Sequence, residues 1–370
     1  MNKNSKRLLF TAVFILAAVI IGMIFMRDKR VNTDITAKTT KVGLVITGKS
    51  NDANFCQTHY DALMNIKDEL NLEIICREQI PENEACSAAM EELIVKDGCT
   101  IIIGASFGYG KYLTETAGKH PDVCFFHPFG AEKSINLTSF SGRMYQARYL
   151  SGIVAGMRTK TGKIGYVASF PFSEVIRDLN AFVLGVKSVA PDCVVYVKYC
   201  NSWVDDEAAE TASNALLDRH PDIDVLSMHT NSLMPNRVAE NRGIWAVGYN
   251  KENASMFPSS YLTACEWQWD SFYKQKILSI LQGKFHGTVE WLDMESGVLG
   301  LSALTGNTAP GTQEKVDEAK KRFAGRSFDV FYGPIADNTG TLRVPAGESM
   351  SDDDMMNHFD WYVEGVAVEE

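Results

Sequence analysis

The stretch Gly43–Leu63, GLVITGKSNDANFCQTHYDAL, forms the first strand–turn–helix unit of the chain and also spells the phosphate-loop pattern G-x-x-x-x-G-K-[ST]. A phosphate loop needs its four central residues to form a loop whose N–H groups surround a phosphate between a strand and a helix. Here those residues run from Leu44 to Thr47, a largely β-branched apolar run whose amides a sheet ladder requires. The pattern therefore predicts a buried strand followed by a polar turn, and not a nucleotide-hydrolysing loop.

Composition and charge limit the class of protein. The chain has 370 residues, of which 45% are hydrophobic and 22% charged, an ordinary globular composition long enough for two lobes with separate cores. The formal net charge of -10 argues against a nucleic-acid partner, because binding a phosphate backbone requires a basic face. The cysteines show no C-x-x-C spacing and the histidines no H-x-x-x-H spacing, so we expect no metal site and no cofactor.

The N-terminus carries an apolar segment. Three basic residues precede an uncharged run from Leu8 to Met26. This run is close to the roughly 20 residues that span a bilayer and longer than the roughly 7–15 of a secretory signal. We expect residues 1–30 to form an uncleaved membrane anchor, with a cleaved signal peptide as the alternative, and residues 31–40 to form a juxtamembrane linker.

From residue 41 onward, short apolar strands alternate with amphipathic helices, which is typical of a parallel sheet covered on both faces. The first series of strands is predicted at Lys41–Thr47, Leu72–Cys76, Thr100–Ile103, Val123–Phe126 and Asn136–Phe140. A second series starts at KIGYVASF, Lys163–Phe170. Two successive α/β units predict a binding domain over residues 41–370 with two lobes and a cleft between them. We expect lobe 1 at about residues 41–147 plus a later return segment, and lobe 2 at about 148–260 plus C-terminal segments.

The segments that follow the predicted strands are candidates for a ligand site. In open α/β sheets a ligand binds beyond the carboxyl ends of the strands, and two facing lobes place two such edges opposite each other. These segments are rich in aromatic, amide and hydroxyl side chains, a lining that suits a planar, polar small molecule. The residues that we expect to contact the ligand are Phe55, Gln57, His59, Phe107, Gly108, Tyr109, Glu174, Trp203, Asn231, Tyr249, Asn250 and Trp269.

A second short motif, G-x-S-x-G, spans Gly104–Gly108 after the strand Thr100–Ile103, which is the context of a nucleophile elbow. Against a serine esterase that uses Ser106, only two predicted strands precede this one, and no HGGG-type oxyanion segment lies upstream in the sequence. The alternative is a glycine-permitted turn that offers backbone amides to a ligand. We therefore expect a binding protein and not an enzyme.

The chain from Lys41 to Val366 resembles the basic membrane protein family of ABC-transporter substrate-binding proteins, which includes purine nucleoside receptors. The matching segments are ASFG (Ala105–Gly108), ARYLSGIVAGMRTKTGKIGYVASFPFSEVIRDLNAF (Ala147–Phe182), NSWVDD (Asn201–Asp206), HTNS (His229–Ser232), LTACEWQW (Leu262–Trp269), YGPIAD (Tyr332–Asp337) and DWYVEGV (Asp360–Val366). The resemblance implies the α/β periplasmic-binding-protein type 1 fold, in which two Rossmann-like lobes enclose a ligand on closure.

Within this resemblance, Phe55 falls where the family stacks an aromatic ring on a purine, and Trp203 falls where the opposite lobe supplies its partner. The chain departs from the nucleoside receptors where a family Asn, carboxylate, Asp and Lys are replaced by Cys56, by His127 or Pro128, by Asn250 and by Trp267. Because acidic residues are the natural partners of ribose hydroxyls, these departures favour a free purine base or another planar heterocycle.

The resemblance implies a non-catalytic receptor on the outer face of a bacterial cell membrane. It would be anchored by its N-terminus and deliver a purine base or nucleoside-like ligand to the permease and ATPase subunits of an ABC transporter. The first cysteine is Cys56, so no lipid-bearing cysteine follows the apolar run in this sequence. A membrane-anchored ligand sensor of the same fold is the alternative, because a receptor that signals to a membrane partner has the same sequence features.

Overall fold

In the computed structural model, which describes residues 38–324 and 329–369, the N-terminal strands pair in parallel and build the sheet of a first lobe. The strands of this sheet are β1 (Thr40–Ile46), β2 (Leu72–Arg77), β3 (Ile101–Ala105), β4 (Cys124–Pro128), β5 (Leu137–Gly142) and β11 (Val289–Leu292). Their order is β11-β5-β4-β3-β1-β2, and every neighbouring pair is parallel. The helices that connect them are α1 (Phe55–Lys67), α2 (Glu84–Val95) and α3 (Gly110–Lys119).

A second lobe has its own sheet. Its strands are β6 (Lys163–Ala168), β7 (Val194–Tyr199), β8 (Val225–His229), β9 (Trp245–Asn250), β10 (Tyr261–Trp267), β12 (Leu299–Leu301) and β15 (Val366–Glu369). The order is β12-β10-β9-β8-β6-β7-β15, with only β12 antiparallel to its neighbour. The helices of this half are α4 (Tyr145–Arg158), α5 (Ser173–Lys187), α6 (Asp206–Arg219) and α7 (Met234–Arg242). Later elements are α8 (Asp270–Leu281), α9 (Thr312–Ala324), β13 (Ile335–Ala336), β14 (Leu342–Val344) and α10 (Asp352–Asn357).

Within the described residues, the chain crosses between the two sheets three times, at residues 143–144, 268–269 and 293–298. After the second crossing, helix α8 packs against α1 of the first lobe, and β11 then adds an edge strand to the first sheet. The third crossing returns the chain to β12 of the second sheet. The expected α/β periplasmic-binding-protein fold, with two lobes built on parallel sheets, is confirmed.

The phosphate-loop pattern lies in a strand. Residues Leu44 to Ile46 are fully buried in β1, where they pair with β2 on one side and β3 on the other. Their N–H groups belong to the ladder of a central strand, so they are not available to surround a phosphate. The interpretation of the opening stretch as a strand followed by a turn is confirmed.

The predicted membrane anchor over residues 1–30 lies outside the described residues, as does most of the predicted linker. Among the helices of residues 38–324 and 329–369, none combines the length and the apolarity needed to cross a bilayer. The N-terminal anchor therefore stays a prediction.

Helices α4 and α5 approach each other so closely that only glycine fits at two positions of their contact. A Cβ atom on Gly152 would lie 2.0 Å from the backbone oxygen of Phe182, and one on Gly185 would lie 2.0 Å from the backbone oxygen of Tyr149. Both obstacles are backbone atoms, so a side-chain rotation cannot relieve the clash. The two helices hold the buried face of the second sheet, and their spacing depends on this reciprocal glycine contact.

We expect Gly152→Ala to lower the free energy of unfolding by about 3 kcal/mol, since overpacking that moves backbone costs at the upper end of its usual range. Gly118→Ala is the control, because the Cβ that it adds to helix α3 meets no atom within 4 Å. That variant should keep or slightly raise stability, since alanine favours a helix by up to about 1 kcal/mol over glycine. Urea denaturation of both variants gives the comparison, and equal stabilities would contradict the close-packing argument.

Candidate functional site

Strained backbone marks the edge where the strands of both sheets end. Six non-glycine residues of the described chain have a positive φ, and five of these follow or end strands at the carboxyl edges: Ala53, Gln79, Phe129, Asn201 and Asn250. Side chains other than glycine rarely adopt this conformation, and such residues cluster at ligand-binding sites when the surrounding structure holds them. The strain therefore indicates a functional region between the two sheet edges.

Three asparagines and a tryptophan join the lobes at this edge, in a group that we call the amide junction (Asn54, Asn231, Asn250 and Trp267). Asn54 of lobe 1 donates through Nδ2 to the backbone oxygen of Asn231 in lobe 2, at 2.5 Å. Asn250 donates to the side-chain oxygens of both Asn54 and Asn231, at 2.5 and 2.8 Å. Trp267 Nε1 donates to Asn250 Oδ1 at 3.1 Å. The lobes are thus in direct contact through hydrogen bonds between buried or half-buried side chains.

Two further contacts hold the lobes together beside the amide junction. Asn253 Nδ2 donates to the backbone oxygen of Ala53 at 3.0 Å. Lys251 Nζ lies 2.7 Å from Asp61, but both side chains are about one-third exposed, so this ion pair contributes at most about 1 kcal/mol. The structure therefore represents the two lobes closed against each other.

An aromatic stack forms the base of the cleft at the second crossing. The ring of Trp269 stacks between His59, at 5.3 Å and 8°, and Trp267, at 4.7 Å and 12°. His59 and Trp269 are fully buried, and His59 Nδ1 lies 2.7 Å from the Tyr273 hydroxyl. Burial lowers the pKa of His59 to about 3, so the imidazole is neutral at physiological pH. The stack joins α1, the second crossing and α8 in one core.

Phe55 and Trp203 belong to the two segments that the amide junction connects. Phe55 begins α1, is half-buried, and its ring meets the edge of His59 at 4.8 Å. Trp203 is half-buried between β7 and α6, with its ring 5.9 Å from that of His229. The backbone N–H of Asn231 donates to the Trp203 oxygen at 2.7 Å. Since Asn231 also accepts from the residue that precedes Phe55, a short path of hydrogen bonds connects the segments that carry the two rings.

The second lobe adds a charged and aromatic cluster beneath its edge. The ring of Tyr249 lies between the guanidinium of Arg148, at 4.0 Å, and the edge of His229, at 4.6 Å. Burial lowers the pKa of His229 well below its usual value, and the charge of Arg148 lowers it further. Glu174 is half-buried in the first turn of α5, where desolvation raises the pKa of its carboxyl to about 7 against the opposing effect of Arg177. Near neutral pH this carboxyl can both donate and accept a hydrogen bond.

Two of the predicted ligand residues serve the structure of lobe 1. Tyr109 is fully buried in the core between β3 and its neighbouring helices, and its hydroxyl donates to the Ile80 backbone oxygen. Gln57 accepts from the N–H of Ala53 at 2.9 Å and so holds the turn before α1. Neither side chain belongs to the group that meets at the amide junction.

The G-x-S-x-G segment forms a turn on the rim of lobe 1. The Ser106 hydroxyl donates to the carboxylate of Glu82, and the Gly108 N–H donates to the same carboxylate at 3.1 Å. Nε2 of His127 hydrogen-bonds the backbone oxygen of Ser106 at 3.0 Å. The imidazole therefore contacts the backbone of Ser106, whereas the Ser106 hydroxyl is bound to Glu82. Phe107 is 75% exposed at the tip of the turn. This geometry fits a structural turn and not a nucleophile paired with its base.

Sequence reasoning did not find Asn54. An asparagine directly before a helix normally indicates an N-cap, and Asn54 occupies that position of α1. Its side chain is instead engaged with lobe 2, and Asp52 accepts hydrogen bonds from the first amides of the helix. A signal was present in the segment SNDANF (Ser50–Phe55), because Asp52 and Asn54 both suit a cap and a helix needs only one of them. Within residues 38–324 and 329–369, no cluster of histidine, cysteine and carboxylate side chains is arranged to hold a metal ion.

Comparison with known proteins relates this architecture to a family. The sequence profile of the family described as "ABC transporter substrate-binding protein PnrA-like" matches residues 39–327. A purine-binding protein of Brucella abortus is 30% identical over 328 residues, which cover 88% of this chain and 92% of that protein. An ABC transporter protein of Haloferax volcanii whose name refers to glucose binding is 32% identical over 269 residues, which cover 73% of this chain and 66% of that protein.

A solved structure shows the same fold. The transcriptional activator of the comK gene from Bacillus halodurans superposes with a TM-score of 0.69 at 23% sequence identity, covering 78% of this chain and 99% of that one. At this identity the likeness concerns the arrangement of the two lobes alone.

The buried neutral His59 predicts a specific loss of stability in acid. Its pKa is about 3 in the folded protein and 6.5 in the reference state, so the unfolded chain binds a proton that the folded chain does not. The contribution of His59 is therefore fully present above pH 6.5 and is lost as the pH falls toward 3. Between pH 7 and pH 4.5 we expect His59 to account for a decrease of about 2 to 3 kcal/mol in the free energy of unfolding.

The measurement is urea denaturation at both pH values for the wild type and for His59→Gln. The variant should lose about 2 to 3 kcal/mol less than the wild type over this interval. His286→Gln, at an exposed histidine, is the control and should follow the wild type. An unchanged pH dependence in His59→Gln would contradict the role assigned to this imidazole.

Proposed function

The chain belongs to the PnrA-like family of ABC transporter substrate-binding proteins, and we propose that it binds a purine base or a nucleoside-like ligand between its two lobes. Membership makes it an extracytoplasmic, non-catalytic receptor for a small solute. The observation that carries the proposed ligand is the pair of half-buried rings, Phe55 on lobe 1 and Trp203 on lobe 2, beside the amide junction. The purine-binding relative from Brucella abortus supports the same ligand class.

Stacking is the main source of affinity in this proposal. Stacking a base on an aromatic side chain contributes roughly 1 to 3 kcal/mol to the binding free energy, and both faces of a base can stack. One ring on each lobe means that both faces are covered only when the lobes close. Ligand binding and closure are then coupled, because each ring contributes fully in the closed form alone.

Hydrogen-bonding groups at the same edges suit the rim of a heterocycle. Among the described residues, His59 Nε2, Ser169 Oγ and His229 Nε2 are buried at the carboxyl edges of the sheets without a hydrogen-bond partner. An unpaired buried polar group costs about 1 to 3 kcal/mol, so such groups in a native protein call for an explanation. A ligand with ring nitrogens and amino or carbonyl groups would supply partners to these three atoms. The side chain of Glu174 would offer the ligand a further hydrogen bond.

Delivery to an ABC permease and its ATPase is the second part of the proposal. The predicted N-terminal anchor would keep the receptor on the outer face of the membrane and raise its effective concentration at the permease. Genes for an ATPase and permease subunits next to the gene for this chain would support delivery, and a neighbouring signalling partner would support the sensor instead.

The two rings provide the first test. Phe55→Ala and Trp203→Ala should each weaken purine binding by roughly 1 to 3 kcal/mol, the range for losing a stacked base. The double variant should lose less than the sum, because a ring with one open face no longer holds the lobes together. Isothermal titration calorimetry with a purine that binds the wild type measures the affinities of the two single variants and of the double variant.

Trp245→Ala is the matched control for Trp203→Ala. Trp245 is also half-buried, but it begins β9 at the opposite end of the same sheet, under the guanidinium of Arg158 at 3.6 Å. Its loss should lower stability without changing affinity. Equal affinities of the wild type and Trp203→Ala would overturn the proposed stacking.

A thermal-shift screen tests the ligand class. Purine bases and nucleosides should raise the melting temperature, since a ligand at 100 times its Kd stabilises the folded state by about 2.7 kcal/mol. Glucose belongs in the screen because of the name of the Haloferax volcanii relative. Stabilisation by glucose and by no purine would refute the proposal.

A further inference from the structure

Backbone N–H groups at three positions along the carboxyl edge of the lobe 1 sheet donate to carboxylates of the chain. These positions are the turn after β1 at Ser50, the N-terminus of α1, and the turn after β3 at Ser106 to Gly108. Turns with convergent amides and helix N-termini attract phosphates and carboxylates. Two of the three are the sites of the phosphate-loop and nucleophile-elbow patterns in the sequence.

Asp52 occupies the N-terminus of α1. Its Oδ1 accepts from the N–H of Asn54 at 2.8 Å and of Gln57 at 3.0 Å, and its Oδ2 accepts from the N–H of Cys56 at 3.1 Å. Phe55 lies within the same turn of helix. The amides closest to the proposed stacking position are therefore already bound to a carboxylate of the chain itself.

Glu82 occupies the turn after β3. It accepts from the Ser106 hydroxyl and from the Gly108 N–H at 3.1 Å. A Cβ atom on Gly108 would lie 2.4 Å from the carboxyl carbon of Glu82, so the glycine is needed for the carboxylate to sit directly on the turn. The described residues form no nucleophile elbow at this position. Gly108 matches that motif because the carboxylate of Glu82 lies where a side chain would be.

Glu78 occupies the turn after β1. It accepts from the N–H of Ser50, the serine of the phosphate-loop pattern, at 3.0 Å. The hydrogen bonds from Ser50 lower the pKa of this carboxyl, with a smaller effect from Lys49, so Glu78 is ionised at neutral pH.

We propose that Asp52, Glu78 and Glu82, which we call the resident carboxylates, make the receptor select uncharged ligands and reject phosphorylated or otherwise anionic ones. This inference rests on the proposed purine site for the identity of the ligand, but the filling of the amide positions is a property of lobe 1 itself. A phosphate that reached this edge would find the N–H donors at all three positions bound and would face a carboxylate at each one. Like charges brought together at an interface oppose binding and exclude the wrong partner.

The receptor would therefore accept nucleobases or nucleosides and discriminate against nucleotides. Adenosine and adenosine 5′-monophosphate form a matched pair of probes, because they differ only in the phosphate. In the wild type we expect the Kd of the monophosphate to exceed that of adenosine by about 100-fold, the order expected for an unfavourable like-charge contact.

The double variant Asp52→Asn, Glu82→Gln removes two charges and keeps acceptor oxygens at both positions. It should reduce the ratio of the two Kd values by about tenfold. Glu84→Gln is the matched control, since Glu84 is exposed two residues after Glu82 and its carboxylate takes no part in the contacts described above. A monophosphate that binds the wild type as tightly as adenosine would overturn the proposal.

A second measurement does not depend on any purine. Inorganic phosphate should shift the melting temperature of the wild type no more than sodium chloride at equal ionic strength does. Glu82→Ala opens the turn after β3 and should gain a shift that is specific to phosphate. A phosphate shift of equal size in the wild type and in Glu82→Ala would overturn the proposal. If no purine binds while the phosphate results are as expected, the purine function fails and the exclusion of anions stands.

Discussion

Parallel pairing brings the carboxyl ends of all the strands in a sheet to one edge, and the cleft of this receptor depends on that constraint. Each lobe presents one such edge, and the three crossings turn the two edges toward each other. Asn54, Asn231 and Asn250 come from three separate strand ends, yet they meet in one hydrogen-bonded group. The strained backbone at Asn250 and at other strand ends is held by the same edge.

The amide junction helps to hold the lobes closed against each other. Its amide groups satisfy one another across the cleft, so few of them are unpaired when the lobes are closed. Each such hydrogen bond contributes only about 1 kcal/mol net, because water replaces it when the lobes open. These hydrogen bonds therefore cost little to break, and a solute bound between the lobes would add to the contacts that hold them together.

Charge is distributed unevenly around this cleft. The edge of lobe 1 holds carboxylates on its backbone amides, whereas lobe 2 buries Arg148 and Asp178 together, 3.8 Å apart, beneath its own edge. Asp178 also lies 3.6 Å from Arg177, so two arginines share this buried carboxylate in lobe 2. The carboxylates of lobe 1 are closer to solvent and give that side its negative character.

The sequence by itself determined the alternation of strands and helices and the two lobes, because hydrophobic periodicity and local turn chemistry act over a few neighbouring residues. The family followed from the resemblance of longer segments such as Ala147–Phe182. It also excluded the phosphate loop, since a β-branched run in that pattern has to be a strand. Only the tertiary structure decided that Tyr109 belongs to a core and that Asn54 reaches the other lobe instead of capping its helix. It likewise decided that Glu82 fills a turn that begins 24 residues later in the chain. The physical reason is that a hydrogen bond or a packing contact is specified by distance in space, and the neighbouring residues in the chain do not identify a side chain's partner across a sheet edge or a cleft.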